Sequence, residues 1–196
     1  MGKAFFRGRA STGSTYEREL KSILEGDAAA VNEFGKSLSV EDGMAYRMAQ
    51  DRPFLVIRAA GSFGSDLVAL RDDFSFPIEV KSSKERVIRF GGTRLAEQAE
   101  SFLRDCERAG IVPVYAYRLK DHRGDSWRLF RLPTKAPQSG FGVQLQRLVP
   151  EVRTTSAGNF AMDWDGGLPL AGFLRRVCEE WSIRKGRMEN EEAATK

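Results

Sequence analysis

Histidine occurs once in this 196-residue sequence and cysteine twice. The two thiols, Cys106 and Cys178, lie far apart in helix-like, charge-rich segments, and no secretion signal accompanies them. That excludes a disulfide framework and leaves both expected as reduced thiols. With His122 as the lone imidazole, nitrogen and sulfur donors are too few for an ordinary zinc site, so any bound metal must be held by oxygen. Long apolar runs are missing as well: nothing approaches the roughly 18 residues needed to cross a membrane. The opening stretch from Met1 to Arg7 is basic without the apolar segment of a secretory signal. A cytoplasmic chain is expected, with no membrane partner.

What the chain does hold is 41% hydrophobic residues, enough at this length to bury one sizeable core. The net charge of +4 suits a polyanionic partner without singling one out. Residues 1–13, with Lys3, Arg7 and Arg9 among Gly, Ser and Thr, read as a flexible basic arm. Ser14 to Glu17 has capping-box spacing and starts a helix whose stripe is Tyr16, Leu20, Ile23 and Leu24. Residues 26–53 read as a helical insertion of one or two short helices broken near Gly35 and Gly43, closed at Asp51-Arg52-Pro53.

From Phe54 the period changes to that of strands. Phe54 to Arg58, Asp66 to Leu70 and Phe74 to Lys81 give three strands in close succession, hence a meander of sheet neighbours. After a basic connection with Lys84, Arg86 and Arg89, a helix presents Leu95, Ala99, Phe102, Leu103 and Cys106 on one face and ends near Gly110. Ile111 to Tyr117 is a fourth strand, in which Pro113 implies an edge position or an irregular start. Lys120 to Asp125 is a hairpin loop with His122 as a solvated turn residue, and Trp127 to Leu132 returns. Beyond it, Val143 to Val149 and Phe160 to Trp164 read as further strands, Leu168 to Cys178 as an amphipathic helix, and residues 184–196 as a charged, disordered tail. The expected division is a basic arm (1–13), one domain (14–183, with the 26–53 insertion and a 133–183 extension) and the tail.

Two places in this outline carry more charge than a sheet needs. Glu79 and Lys81 stand two residues apart on one strand and so project from the same face, with Val80 on the other. Asp66 opens the neighbouring strand after a glycine-containing turn. Two carboxylates converging there suit Mg2+, with Mn2+ as a substitute, because both ions prefer oxygen ligands. With Lys81 beside them, the outline is that of a metal-dependent phosphodiesterase site. The plainer reading, in which Asp66 is a turn residue and Glu79 and Lys81 a solvated strand face, is weakened by the apolar residues around them, since charges in a central sheet are costly unless paired or metal-bound.

Four blocks of the sequence add a resemblance: Gly13-x3-Glu17-Arg18-Glu19-Leu20, Val56-Ile57-Arg58-Ala59-Ala60-Gly61-Ser62, Asp66-Leu67-Val68-Ala69 and Ile78-Glu79-Val80-Lys81-Ser82. Together they look like the motif blocks of the archaeal Holliday-junction resolvases, of the PD-(D/E)XK nuclease superfamily. The likeness extends over roughly residues 7–132, apart from the insertion. It implies a restriction-endonuclease-like α/β fold, a central mixed sheet flanked by helices. It further implies a metal-dependent endonuclease that acts as a homodimer to resolve four-way DNA junctions by paired cuts, associated with the nucleoid.

Carried over residue by residue, the resemblance makes Glu17, Asp66 and Glu79 the metal ligands. Lys81 and Ser62 join those three as catalytic residues, and Arg18 and Arg58 become DNA contacts. The basic residues Arg7, Arg9, Lys84 and Arg86 are further expected DNA contacts, and a sliding clamp or helicase is an expected partner. Glu17 as a helix cap alone remains an alternative. Phe63-Gly64-Ser65 stands where these resolvases often carry basic residues. A related nuclease on duplex or flap DNA, and a junction-binding protein without turnover, are the competing readings.

Overall fold

The structure, a computed structural model, describes residues 12–59, 64–72, 75–135 and 140–179. Its middle strand, β5 (Val114–Leu119), has side chains that alternate between two apolar surroundings: Val114 and Ala116 join one cluster, Tyr115, Tyr117 and Leu119 the other. Burial on both faces is what places a strand inside a sheet. Around it lie β1 (Leu55–Arg58), β2 (Leu67–Leu70), β3 (Ser75–Ser83), β6 (Trp127–Arg131) and β9 (Leu168–Pro169), in the order β1-β2-β3-β5-β6-β9. Within this sheet β3 and β5 run parallel and the other neighbours antiparallel. The sheet is therefore mixed, and its first three strands form the expected meander.

The parallel pair requires a crossover, and this one carries β4 (Val87–Arg89) and α4 (Thr93–Ala109). β4 pairs with β8 (Phe160–Asp163), which pairs with β7 (Arg153–Thr154), as a second, three-stranded sheet. α4 and this small sheet cover one face of the main sheet, where Phe102 and Met162 are buried with Tyr115 and Phe130. The other face is covered by α1 (Thr12–Leu24), α2 (Ala28–Gly35), α3 (Val40–Asp51), α5 (Phe141–Leu148) and a helix over residues 170–179, α6. Leu20, Ile23 and Leu24 of α1 are buried there against Val56, Leu67 and Ile78, each burial stabilising the fold by roughly 1.5–3 kcal/mol. Phe76 of β3 holds Phe54 and Phe173 of α6 edge-to-face, at 5.8 and 5.7 Å between ring centroids.

Residues 26–53 are built into this layer: Val31, Ala45, Tyr46 and Ala49 belong to the same core. Asp27 caps α2 by accepting from Ala30 N–H at 2.8 Å, and Ser39 caps α3 by accepting from Asp42 N–H at 3.1 Å. α2 ends at Gly35 as expected, but α3 runs unbroken through Gly43, which is buried inside the helix.

Other expectations change. α1 already includes Thr12, so Ser14 sits inside the helix and cannot be its cap, which frees Glu17 from a capping role. Residues 143–149, expected as a strand, belong to α5 and its cap. Phe141, Val143 and Leu145 do alternate, but Phe141, Leu145 and Leu148 also follow a helical stripe, and that stripe is the one that packs on the core. Pro113 marks an irregular start: β5 begins one residue later, in the middle of the sheet. The outer rim of β1 is closed by α1, whose Lys21 amine donates to the Val56 carbonyl at 2.6 Å while Val56 N–H donates to Glu25 Oε1 at 3.4 Å.

Candidate active site

The acid site forms where β2 and β3 meet under α4. Ala59 N–H donates to Asp66 O, closing the β1–β2 connection, and Asp66 N–H donates to Ile78 O, both at 2.9 Å. The Asp66 side chain is fixed as well, because its Oδ2 accepts from Val80 N–H at 2.8 Å. Gly64, at φ +70°, holds a backbone conformation that a side chain would strain, and a Cβ added there would stand 3.5 Å from Phe102 of α4. The β2–β3 register thus sets Asp66 beside Glu79 on the face that looks toward α4.

Glu79 is 3% exposed. Its Oε1 accepts from the Lys81 amine at 2.6 Å and from Gln98 Nε2 of α4 at 2.8 Å, and Gln98 Oε1 in turn accepts from Lys81 at 3.3 Å. As expected from a period of two, Glu79 and Lys81 emerge together while Val80 packs against the opposite core. Burial raises the pKa of Glu79 to about 7 and the nearby Asp66 charge adds to the rise, while Lys81 and Gln98 oppose it. Burial raises Asp66 too, and the Glu17 charge reinforces that, against the Val80 N–H and Lys81. Near neutrality the pair holds a proton that a cation would displace.

Tyr115 faces Glu79 directly across the parallel register. Its ring is wedged between Phe90 and Phe102, at 5.3 and 5.9 Å, and its buried hydroxyl has no hydrogen-bond partner among the described residues. Burial, with the charges of Glu79 and Asp66, raises its pKa and keeps it neutral.

Glu17 projects from α1 into electrostatic reach of Asp66, but its Oε2 accepts from the Arg58 guanidinium at the end of β1. Among the described residues no three His, Cys, Asp or Glu side chains are grouped to hold a metal. The donors that do meet, Asp66 and Glu79, are carboxylates whose proton affinity has been raised by burial. That is oxygen chemistry suited to a hard divalent cation.

Of the expected DNA contacts, Arg18 is exposed on α1. Lys84 is bonded to Asp121 at 2.8 Å, and Arg86 is paired with Asp165. Ser62, Arg7 and Arg9 lie outside the described residues.

Two residues that matter here escaped sequence reasoning. Gln98 shares the buried face of α4 with Leu95 and Phe102, and a polar residue on that stripe was the available signal. Glu19 stands next but one to Glu17 yet serves the opposite face: its Oε1 accepts from Arg118 Nε at 2.7 Å and from Trp127 Nε1 at 2.9 Å. It anchors α1 to β5 and β6, which nothing local to Glu19 announces.

Comparison with known proteins bears on this arrangement. The model of the archaeal Holliday junction resolvase (Hjc) family matches residues 36–180, a span that includes Arg58, Asp66, Glu79, Lys81 and Gln98. One solved structure similar to this chain is the Archaeoglobus fulgidus Hjc, a Holliday junction resolvase from an archaeal hyperthermophile. It is 22% identical, with a TM-score of 0.48, over 84% of this chain and 96% of the other. No curated protein matches the chain. With the family model spanning well over half of its length and taking in the β2–β3 acid site, this α/β chain with a mixed central sheet belongs to the archaeal Holliday junction resolvase family.

Proposed function

We propose that the protein is a Mg2+-dependent endonuclease that resolves four-way DNA junctions as a homodimer, with Mn2+ able to replace Mg2+. The observation that carries this reading is Glu79: a carboxylate buried in the sheet, set beside Asp66, and positioned by Lys81 and Gln98. A purely structural carboxylate gains nothing from a second acid next to it.

In this reading Asp66 and Glu79 hold the cation, and Glu17 completes the oxygen set when its carboxylate leaves Arg58. The cation, when bound, supplies Lewis acidity at the phosphate and acidifies attacking water. Lys81 keeps its amine on the Glu79 carboxylate and neutralises negative charge that develops on the phosphate. Gln98 fixes both side chains, so that neither must reorganise during the reaction. The Val80 N–H holds Asp66 in the same orientation throughout. Arg58, once Glu17 has left it, and Arg18 meet the DNA backbone.

The test is nicking of a synthetic four-way junction, a linear duplex and a flap, with and without Mg2+, by wild type and by Asp66→Asn. Mg2+-dependent cutting of the junction in preference to the other two, abolished by the substitution, is the expected result. Equal cutting of all three substrates would leave a nuclease without junction selectivity. Junction binding with no nicking under Mg2+ or Mn2+ would leave a binding protein.

A further inference from the structure

We infer that the tip of the β5–β6 hairpin, through Lys120 and Arg123, grips the backbone of the DNA arm that enters the acid site. The inference rests on the reading above that the substrate is DNA. It starts from register: β3 and β5 are parallel, with Lys81 opposite Tyr117 and Ser83 opposite Leu119. The hairpin tip therefore projects beyond the carboxyl end of the strand that carries Glu79 and Lys81. Four residues of strand separate Glu79 from Ser83, about 13 Å. A DNA strand presents a phosphate about every 3.4 Å along the helix axis, so an arm whose axis runs along β3, with one phosphate at Glu79, brings to the tip a phosphate roughly four nucleotides away.

The tip is fixed in place. Lys120 N–H donates to Ser83 O at 2.8 Å, the Tyr117 hydroxyl donates to Glu85 O, and the Asp121 carboxylate accepts from Lys84 at 2.8 Å. On the other side, the Lys120 amine lies 5.7 Å from the centre of the Tyr16 ring of α1. Beneath the tip, Trp164 meets His122 edge-on at 4.5 Å between ring centroids and carries the Arg128 guanidinium over its ring at 3.8 Å. A phosphate contact made here is preorganised and loses little entropy.

The charges also point to Lys120 and Arg123. Lys84 and Arg86 each carry a carboxylate, Asp121 and Asp165 respectively. Asp125 is buried inward, and Glu85, in the neighbouring β3–β4 connection, is exposed. Lys120 and Arg123 form no ion pair among the described residues, and Arg123 is exposed. Asp121 then acts as a brake: it neutralises Lys84, which would otherwise be a third phosphate contact.

The experiment measures the affinity of full-length protein for a four-way junction as a function of salt. It compares wild type with the double variant Lys120→Gln/Arg123→Gln and with Asp121→Asn. Each protein is also tested on a junction whose phosphates three to five nucleotides from the cut are neutral methylphosphonates. Expected are a roughly tenfold loss for the double variant, with a salt slope shallower by about one to two, and a gain of about threefold for Asp121→Asn. Both differences shrink on the neutralised junction. Wild-type affinity in the double variant overturns the inference. So does a loss that persists unchanged on the neutralised junction, since the tip would then act on something other than those phosphates. Wild-type nicking of the unmodified junction is scored in parallel: its failure with hairpin-dependent binding intact would sink the catalytic reading alone, and the converse would sink the hairpin alone.

Discussion

Two buried carboxylates in this protein, Glu79 and Asp125, are handled in opposite ways. Asp125, at the base of the β5–β6 hairpin, collects donors from three elements. Its Oδ1 accepts from the Tyr46 hydroxyl of α3 at 3.0 Å and from Trp127 N–H at 3.2 Å, and its Oδ2 accepts from Ala171 N–H at the start of α6 at 2.9 Å. Arg128 stands 3.9 Å away. Glu79 meets one amine and one amide, and on its open side another acid. Burial raises the pKa of both, but only Asp125 is surrounded by donors. Asp125, which ties elements together, is saturated; Glu79 is left unsaturated beside a second acid, which is where a cation would add most.

That contrast can be broken by experiment. Glu79→Gln is expected to lower Mg2+-dependent nicking by a factor on the order of 10³ while chemical denaturation shows a fold no weaker than wild type. Asp125→Ala should do the reverse, since it strands a hydroxyl and two backbone N–H groups. A loss of about 3 kcal/mol is expected, with the folded fraction still cutting junctions. Equal destabilisation by the two substitutions would erase the distinction.

The pH dependence of the metal-free protein sharpens it. Glu79 titrates near 7 in the fold against an ordinary 4.5, so the folded state resists its ionisation. The contribution is fully present below 4.5 and lost as pH rises to about 7, by up to about 3 kcal/mol. Denaturation midpoints across that range should fall less steeply for Glu79→Gln; an unchanged slope would show that Glu79 is not the group responsible.

Gln98→Ala should reduce nicking by about 10–100-fold and move the Glu79 titration upward, read by NMR of the labelled carboxyl. Smallest is Glu19→Gln, which weakens the anchor to Arg118 and Trp127 by about 1–2 kcal/mol in denaturation and leaves the metal dependence of cutting in place.

How much of this was legible in the sequence follows from the range of the interactions involved. The pairing of Glu79 with Lys81, and the meander that brings Asp66 to them, are properties of strand period and short turns, so local pattern was enough. Gln98 reaches Glu79 from within the crossover, 19 residues on, and Asp125 meets Tyr46 and Ala171 at separations of 79 and 46 residues, so no local pattern of sequence links the partners. α5 was misread over Val143 to Val149 because Val143 and Leu145 alternate as in a strand, while Phe141, Leu145 and Leu148 follow a helical stripe. The choice between them was made by the core that its helical stripe packs on, which only the folded chain supplies. Glu17 was placed correctly on the first helix, but that its carboxylate would rest on Arg58 depended on how α1 lies along β1.

That same alignment has a further consequence, at the rim where Lys21 and Glu25 occupy both backbone groups of Val56. An unprotected edge strand invites another chain to extend the sheet and is a common route to fibrous aggregation. Here the rim is capped by side chains of the protein's own first helix. Leu55 and Ile57, the large apolar residues that β1 leaves exposed, can thus meet another molecule side-on through their faces, but Val56 does not offer its backbone as a template for strand addition.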